Sequence, residues 1–324
     1  MRSLLKKMFG VFFGLFLFAG ATHHVQAQQG STKILVGLPA GGAVDMVARL
    51  VADKLRASLD QIVIVENRPG ASTRLALQNV KSAPPDGTTL LATPGAVVYL
   101  YPHVFKNLGY DPFKDLSPIS KLLTWDYGFA VPAGSPAKTF AEFIQAAKID
   151  SKLAFYGSPS SGSPQHLLGV QMSNLVGVPL QHVWYKGAAD VATALIGNSV
   201  PSAVLGLGEL TQLHQSGQIR ILATFGKERS PLLPDVPTMS ELGYAELQAV
   251  GAVAMYGPAG MRDELKERLS EAVRVALADP EVKEKIAKLG IVATGSTPKE
   301  LDDFGRSELE RWRDVAKISG FIAD

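Results

Sequence analysis

Short apolar runs alternate with amphipathic segments along almost the whole chain, which is the pattern of a mostly parallel sheet flanked by helices. Ile34-Leu35-Val36 reads as a first strand. Over residues 45–59, Met46, Val47, Leu50, Val51, Leu55 and Leu59 fall at the three-and-four spacing of an amphipathic helix. The β-branched run 62–65 predicts a second strand, 75–80 a short helix, and Thr89-Leu90-Leu91 a third strand. Further helices are predicted over 140–148, 166–175, 188–196 and 265–278, with strands at 153–156, 181–184 and 219–224. Thr297-Pro298 announces a last helix from Lys299 to about Lys317.

Two extended, glycine- and proline-bearing segments stand out, Tyr127-Gly128-Phe129-Ala130-Val131-Pro132 and Gly251-Ala252-Val253-Ala254-Met255-Tyr256-Gly257-Pro258. Read as crossings, they divide the chain into a discontinuous first lobe, 28–128 with 252–324, and a second lobe, 129–251. The chain opens with Arg2, Lys6 and Lys7, an apolar run over 8–21 and the small-residue ending Val25-Gln26-Ala27. That is the pattern of a secretory signal over residues 1–27, with Gln28 as the first mature residue.

Composition narrows the classes. With 46% hydrophobic and 19% charged residues, the chain can bury a sizeable core. Loss of the signal turns the formal charge of +2 into about −1, which leaves no basic surplus for nucleic acid or anionic membrane. There is no cysteine, so disulfides and thiolate chemistry are excluded. His103, His166, His182 and His214 show no close pairing with carboxylates, so no metal site is expected.

Three strand-to-helix loops carry the candidate chemistry. Leu38-Pro39-Ala40-Gly41-Gly42-Ala43-Val44-Asp45 follows the first strand and opens a helix, where close backbone approach and free N–H groups favour an anion. It equally suits a tight turn with Asp45 as a cap. It lacks the lysine and hydroxyl of a P-loop and the G-x-G-x-x-G spacing, which argues against a nucleotide. The second loop, Tyr156 through Ser158, Ser160, Ser161 and Ser163 to His166, offers hydroxyls at a helix start. There Ser163 and Pro164 also suit a cap and first helical position, and His166 reads as hydrogen-bonded rather than as a general base. No G-x-S-x-G marks a nucleophile. The third loop, Trp184-Tyr185-Lys186-Gly187-Ala188-Ala189-Asp190, sets a lysine beside a helix start; a solvated loop lysine is the plainer reading. In open α/β sheets ligands sit at the carboxyl ends of strands, so three such loops together point to a binding cleft.

Taken in order, these segments resemble the substrate-binding proteins of tripartite tricarboxylate transporters, the Bug family. The resemblance also rests on Val65-Glu66-Asn67-Arg68-Pro69-Gly70-Ala71, Pro85-Asp86-Gly87-Thr88-Thr89-Leu90-Leu91, Tyr110-Asp111-Pro112, Asp115-Leu116-Ser117-Pro118-Ile119 and Leu233-Pro234-Asp235-Val236-Pro237-Thr238. It implies a two-lobed periplasmic binding protein (a Venus flytrap, type II-like), each lobe a mostly parallel sheet flanked by helices. It further implies a monomer without cofactor or catalytic activity that captures a small carboxylate for transporter subunits in the membrane. Carried onto this chain, the ligand contacts are Leu38, Ala40, Gly41, Gly42 and Asp45 from the first lobe. The second lobe supplies Ser158, Ser160, Ser161, Ser163 and His166, with Lys186, Gly187, Ala188, Ala189 and Asp190.

Two departures shape the expected ligand. Where the family usually continues Pro-Gly-Ala with a glycine pair and an asparagine, this chain has Ser72, Thr73 and Arg74. Arg74 is a candidate bidentate partner for a second carboxylate, or else an outward arginine at a helix start. Leu205 stands where some relatives carry an aspartate, which speaks against an ammonium group on the ligand. A di- or tricarboxylate follows, aliphatic or, with Trp125, Tyr127 or Trp184 to stack on a ring, aromatic like terephthalate. Presentation of ligand to a sensor kinase and a secreted hydrolase are the alternative readings.

Overall fold

The computed structural model describes residues 31–323; the expected signal segment, 1–27, lies outside the described residues. The chain runs β1 (Ser31–Val36), α1 (Ala43–Leu59), β2 (Ile62–Asn67), α2 (Arg74–Lys81) and β3 (Thr89–Pro94). Three short helices follow, α3 (Ala96–Tyr99), α4 (Tyr101–Val104) and α5 (Pro112–Asp115), before the long strand β4 (Leu116–Pro132). Then come α6 (Phe140–Ile149), β5 (Phe155–Ser158), α7 (Pro164–Val176), β6 (Gln181–Trp184), α8 (Ala188–Ile196), β7 (Ala203–Gly206), α9 (Leu207–Gln215) and β8 (Ile219–Thr224). The return is made by β9 (Val250–Pro258), α10 (Asp263–Ala278), α11 (Pro280–Ala287), β10 (Val292–Ala293) and α12 (Pro298–Ser319).

β4 joins two sheets. Its first part, Leu116 to Asp126, pairs antiparallel with β9, beyond which β3, β1 and β2 complete the first lobe. Its second part, from Tyr127 on, pairs with β7 and β8, and β5 and β6 extend that sheet in parallel. The strand thus changes partners between Asp126 and Tyr127, opposite the point where β9 begins at Val250. The resulting architecture is a two-lobed α/β fold.

Burial explains the sequence pattern. In β1, Ile34 and Val36 pack under α1 with Val47, Val51 and Leu55, while Leu35 faces Leu77 of α2 on the other side. A strand covered on both faces reads as a continuous apolar run. Helix α12 opens with a capping box in which Thr297 and Glu300 satisfy each other's backbone N–H groups. Its Trp312, Val315 and Ala316 share one core with Tyr99, Leu100 and Val104 of the first lobe and Tyr156, Leu167 and Met172 of the second. The lobes are therefore stitched together along α12. Beyond it, Phe321 lies against Gly162, at a positive φ of 76°, and leaves no room for a side chain there.

The sequence pattern missed the short helices α3, α4, α5 and α11 and strand β10, and it misplaced or hid others. The 153–156 strand is displaced to Phe155–Ser158, because Leu153 closes a short turn capped by Asp150. The first part of β4 was hidden by Pro118, which sits at a register shift between Pro118 and Ser120. The short pair β7–α9 carries glycines at 206 and 208 that obscure its periodicity.

Candidate functional site

The turn from β1 into α1 is held from behind. Asp45, only 4% exposed, accepts hydrogen bonds from the Gly41 N–H (2.9 Å), Asn67 Nδ2 (2.9 Å) and Arg49 Nε (3.1 Å). Asn67 also donates to the Leu38 carbonyl (3.1 Å), tying β2 to the loop. The bond from Arg49, then those from Gly41 and Asn67, hold the Asp45 carboxyl below its usual range despite burial. Asp45 is thus spent on shaping the loop. Gly41 takes a positive φ of 92°, as this turn requires, and Gly42 is the N-cap with no side-chain cap on α1. The first N–H groups of α1 are left for another acceptor.

At this helix start lies a pocket of about 350 Å³ that both lobes line. Gly41 and Ala43 form one wall; Gln165 of α7, with Gly206, Gly208 and Glu209 at the start of α9, forms the other; and Trp125 lies at the crossing. Leu289 and Ile291 close one end. Of the three aromatic candidates, Trp125 lines this pocket, Tyr127 is buried at 2% exposure, and Trp184 is 61% exposed.

The serine loop of the second lobe is largely self-satisfied. Ser163 caps α7 by accepting from the His166 N–H (3.2 Å), and Pro164 fills the first helical position. The Ser160 carbonyl takes the hydroxyls of Ser163 (2.7 Å) and Ser158 (3.3 Å), while Ser161 is exposed. The Ser158 hydroxyl also lies 2.7 Å from His182 Nε2. His166 accepts the Gly162 N–H at Nδ1 (3.0 Å) and stacks on His182 with ring centres 4.0 Å apart. Desolvation lowers the pKa of His166, and desolvation together with the charge of its neighbour lowers that of His182 to about 4. Ser158 and His182 make a nucleophile–base contact that the sequence did not reveal. Ser158 is nevertheless fully buried, and the histidine is oriented by two aromatic rings, Tyr156 and His166, instead of a carboxylate.

Helix α8 starts, like α1, without a side-chain cap, at Gly187. Ala188 is half-buried there, while Ala189 and Asp190 are exposed, and Lys186 is exposed beside them. The Tyr185 N–H donates to the Ser158 carbonyl (3.0 Å), which locks this loop to the serine loop.

The loop before α2 has an unusual backbone. Ala71, Ser72 and Thr73 all hold positive φ values, 47°, 54° and 75°. The chain thus keeps the left-handed geometry that suits glycine, at a cost of roughly 1–2 kcal/mol per residue. Thr73 is buried directly over Gly37, and Ser72 is exposed. Arg74 is engaged by the carbonyls of Ala71 (2.9 Å) and Asn107 (3.3 Å), with its guanidinium 4.4 Å from the centre of the Phe105 ring.

Gln165, Gly206, Gly208, Glu209, Leu289 and Ile291 of the pocket were not among the sequence candidates. A signal was present: Gly206-Leu207-Gly208-Glu209 repeats the strand-glycine-helix-acid order of Gly41-Gly42 and Asp45. Leu205 lies fully buried in the second-lobe core. The identity of that side chain therefore says nothing about the charge of the cleft.

Two α/β lobes, joined by crossing strands around a pocket lined by an uncapped helix start, define a solute-binding protein. Over residues 47–321 the chain matches the tripartite tricarboxylate transporter family receptor, and it belongs to that family. It is 36% identical over 256 residues to the UPF0065 protein in the gbd 5' region of Cupriavidus necator, covering 79% of this chain and 77% of that one. It is 28% identical to protein BugT of Bordetella pertussis, with 89% of each chain covered. Among solved structures, an R. palustris protein with adipate superposes with a TM-score of 0.78 at 27% identity, covering 90% of this chain and 98% of that one. MatC of Rhodopseudomonas palustris with bound malate gives 0.75 at 25% identity, covering 88% and 98%.

Proposed function

We propose that this protein captures a small carboxylate in the periplasm and delivers it to the membrane subunits of a tripartite tricarboxylate transporter. The observation that carries the reading is the start of α1, which has no side-chain cap and lines a pocket built by both lobes. Backbone N–H groups bind a carboxylate through charge-assisted hydrogen bonds without a buried cation. Two structural neighbours hold adipate and malate, which makes di- and tricarboxylates, aliphatic or aromatic as in terephthalate, the first class to test.

In this reading the protein acts as a monomer, is exported by residues 1–27, and is not an enzyme. The burial of Ser158 supports the last point, because no substrate carbonyl reaches its hydroxyl. Lobes 28–128 with 252–324 and 129–251 close on the ligand by bending where β4 and β9 cross.

A thermal-shift screen of residues 28–324 against small carboxylates tests the proposal. A ligand that binds only the folded state adds about 2.7 kcal/mol at a hundred times its dissociation constant. A stabilising carboxylate is expected; a panel without one contradicts the reading. Loss of uptake on deleting the membrane subunits separates transport from presentation to a sensor.

A further inference from the structure

The pocket has a negative pole that the carboxylate reading does not use. Glu209 is the third residue of α9, on the wall that faces α1. Glu209 is exposed to the pocket it lines, forms no ion pair among the described residues, and partial desolvation raises its pKa. A Cβ built on Gly206 would lie 2.6 Å from Glu209 Oε2 and 3.2 Å from Trp125 Cδ1. Glycine at 206 is therefore what allows the carboxylate and the indole to lie side by side over the chain. An acid in a helix's first turn is commonly explained by the helix dipole. Here, however, the side chain and Trp125 both border the space over Gly206 at the wall of the pocket, where a ligand would meet them.

Building on the carboxylate reading, we propose that Glu209 sets specificity by favouring a hydrogen-bond donor, an ammonium, amide or hydroxyl group, on the part of the ligand remote from the carboxylate that α1 holds. The cleft then has two poles, the uncapped start of α1 at one side and, at the other, the Glu209 carboxylate on the likewise uncapped start of α9, with Trp125 also in the lining. A bare second carboxylate brought against Glu209 meets like-charge repulsion, whereas a donor forms a charge-assisted bond. An amino- or hydroxy-substituted acid satisfies both poles; its unsubstituted parent satisfies one.

Calorimetry on matched ligands, with wild type and Glu209→Gln, tests this. The panel compares succinate with malate and aspartate, terephthalate with 2-aminoterephthalate, and benzoate with 4-aminobenzoate. Within the skeleton that binds, the donor-bearing member is expected to bind about tenfold more tightly or better, and Glu209→Gln is expected to shrink that gap to about twofold. Equal binding of parent and donor-bearing acid, unchanged in Glu209→Gln, overturns the inference and leaves the carboxylate reading intact. Silence of the whole panel overturns the carboxylate reading and this inference with it.

Discussion

Helices α1 and α7 both begin at the end of a parallel strand, on opposite sides of the same cleft, yet their N-termini are built for different purposes. Helix α7 is closed: Ser163 caps it, Pro164 removes one N–H, and His166 and Gly162 bond across its first turn. Helix α1 is open: its cap is a glycine, its first position is Ala43, and the carboxylate that could cap it, Asp45, is turned back to hold Gly41. Polar residues at a helix start thus divide into those that satisfy the helix and those that shape a loop so that the helix can bind something else. The second arrangement leaves the first N–H groups of α1 without a side-chain acceptor at the pocket wall.

The largest effect should come from removing the brace behind α1. Asp45→Ala strands Asn67, Arg49 and the Gly41 N–H, and is expected to cost about 3 kcal/mol of stability. It should also weaken carboxylate binding by at least about tenfold, read by urea unfolding and calorimetry. A variant as stable as wild type would show that the loop holds itself.

The closed side should respond to acid. The folded pKa of His182, about 4, lies below its unfolded value near 6.5, so the unfolded chain binds more protons between those limits. The stabilisation is therefore complete above about pH 6.5 and lost as pH falls toward 4. Allowing for solvent screening, it is on the order of 2 kcal/mol. Unfolding midpoints measured from pH 7.5 to 4 should show this slope, and His182→Gln should flatten it.

Ser163→Ala removes the cap of α7 and should cost about 1 kcal/mol, with carboxylate affinity unchanged within about twofold. A larger loss of affinity would mean that the closed helix also meets the ligand. The smallest effect is expected at the strained loop beneath the open one. Ser72 is exposed at φ 54°, so Ser72→Gly should stabilise by roughly 0.5 kcal/mol after the added freedom of the unfolded chain is counted. A fall in melting temperature would show that the serine hydroxyl does more than tolerate the turn.

The elements that fill the lobes were legible because burial writes itself into spacing: α1 carries a 3-4 stripe and β1 a run covered on both faces. The Gly41-Gly42 turn was legible because its backbone demands glycine. The opposite wall was harder to read, since the Gly206-to-Glu209 pattern acquires meaning only when the β7–α9 turn is brought across from α1. Arg74 shows the converse. In sequence it is a free cation beside a binding loop, but the fold gives it Ala71, Asn107 and the Phe105 ring as partners. Ser158 and His182, 24 positions apart, meet only because β5 and β6 are neighbours in register.

The most direct test of the open helix start is Ala43→Pro. Proline at the first helical position is compatible with an α-helix, as Pro164 shows in α7, and Gly42 at φ −83° and ψ 172° has the extended conformation that precedes a proline. The substitution deletes the Ala43 N–H at the pocket wall while leaving the fold in place. With an unchanged melting temperature in the absence of ligand, carboxylate affinity should fall by about ten- to a hundredfold, the loss of one charge-assisted hydrogen bond. Wild-type affinity in a folded Ala43→Pro protein would contradict the claim that α1 holds the carboxylate.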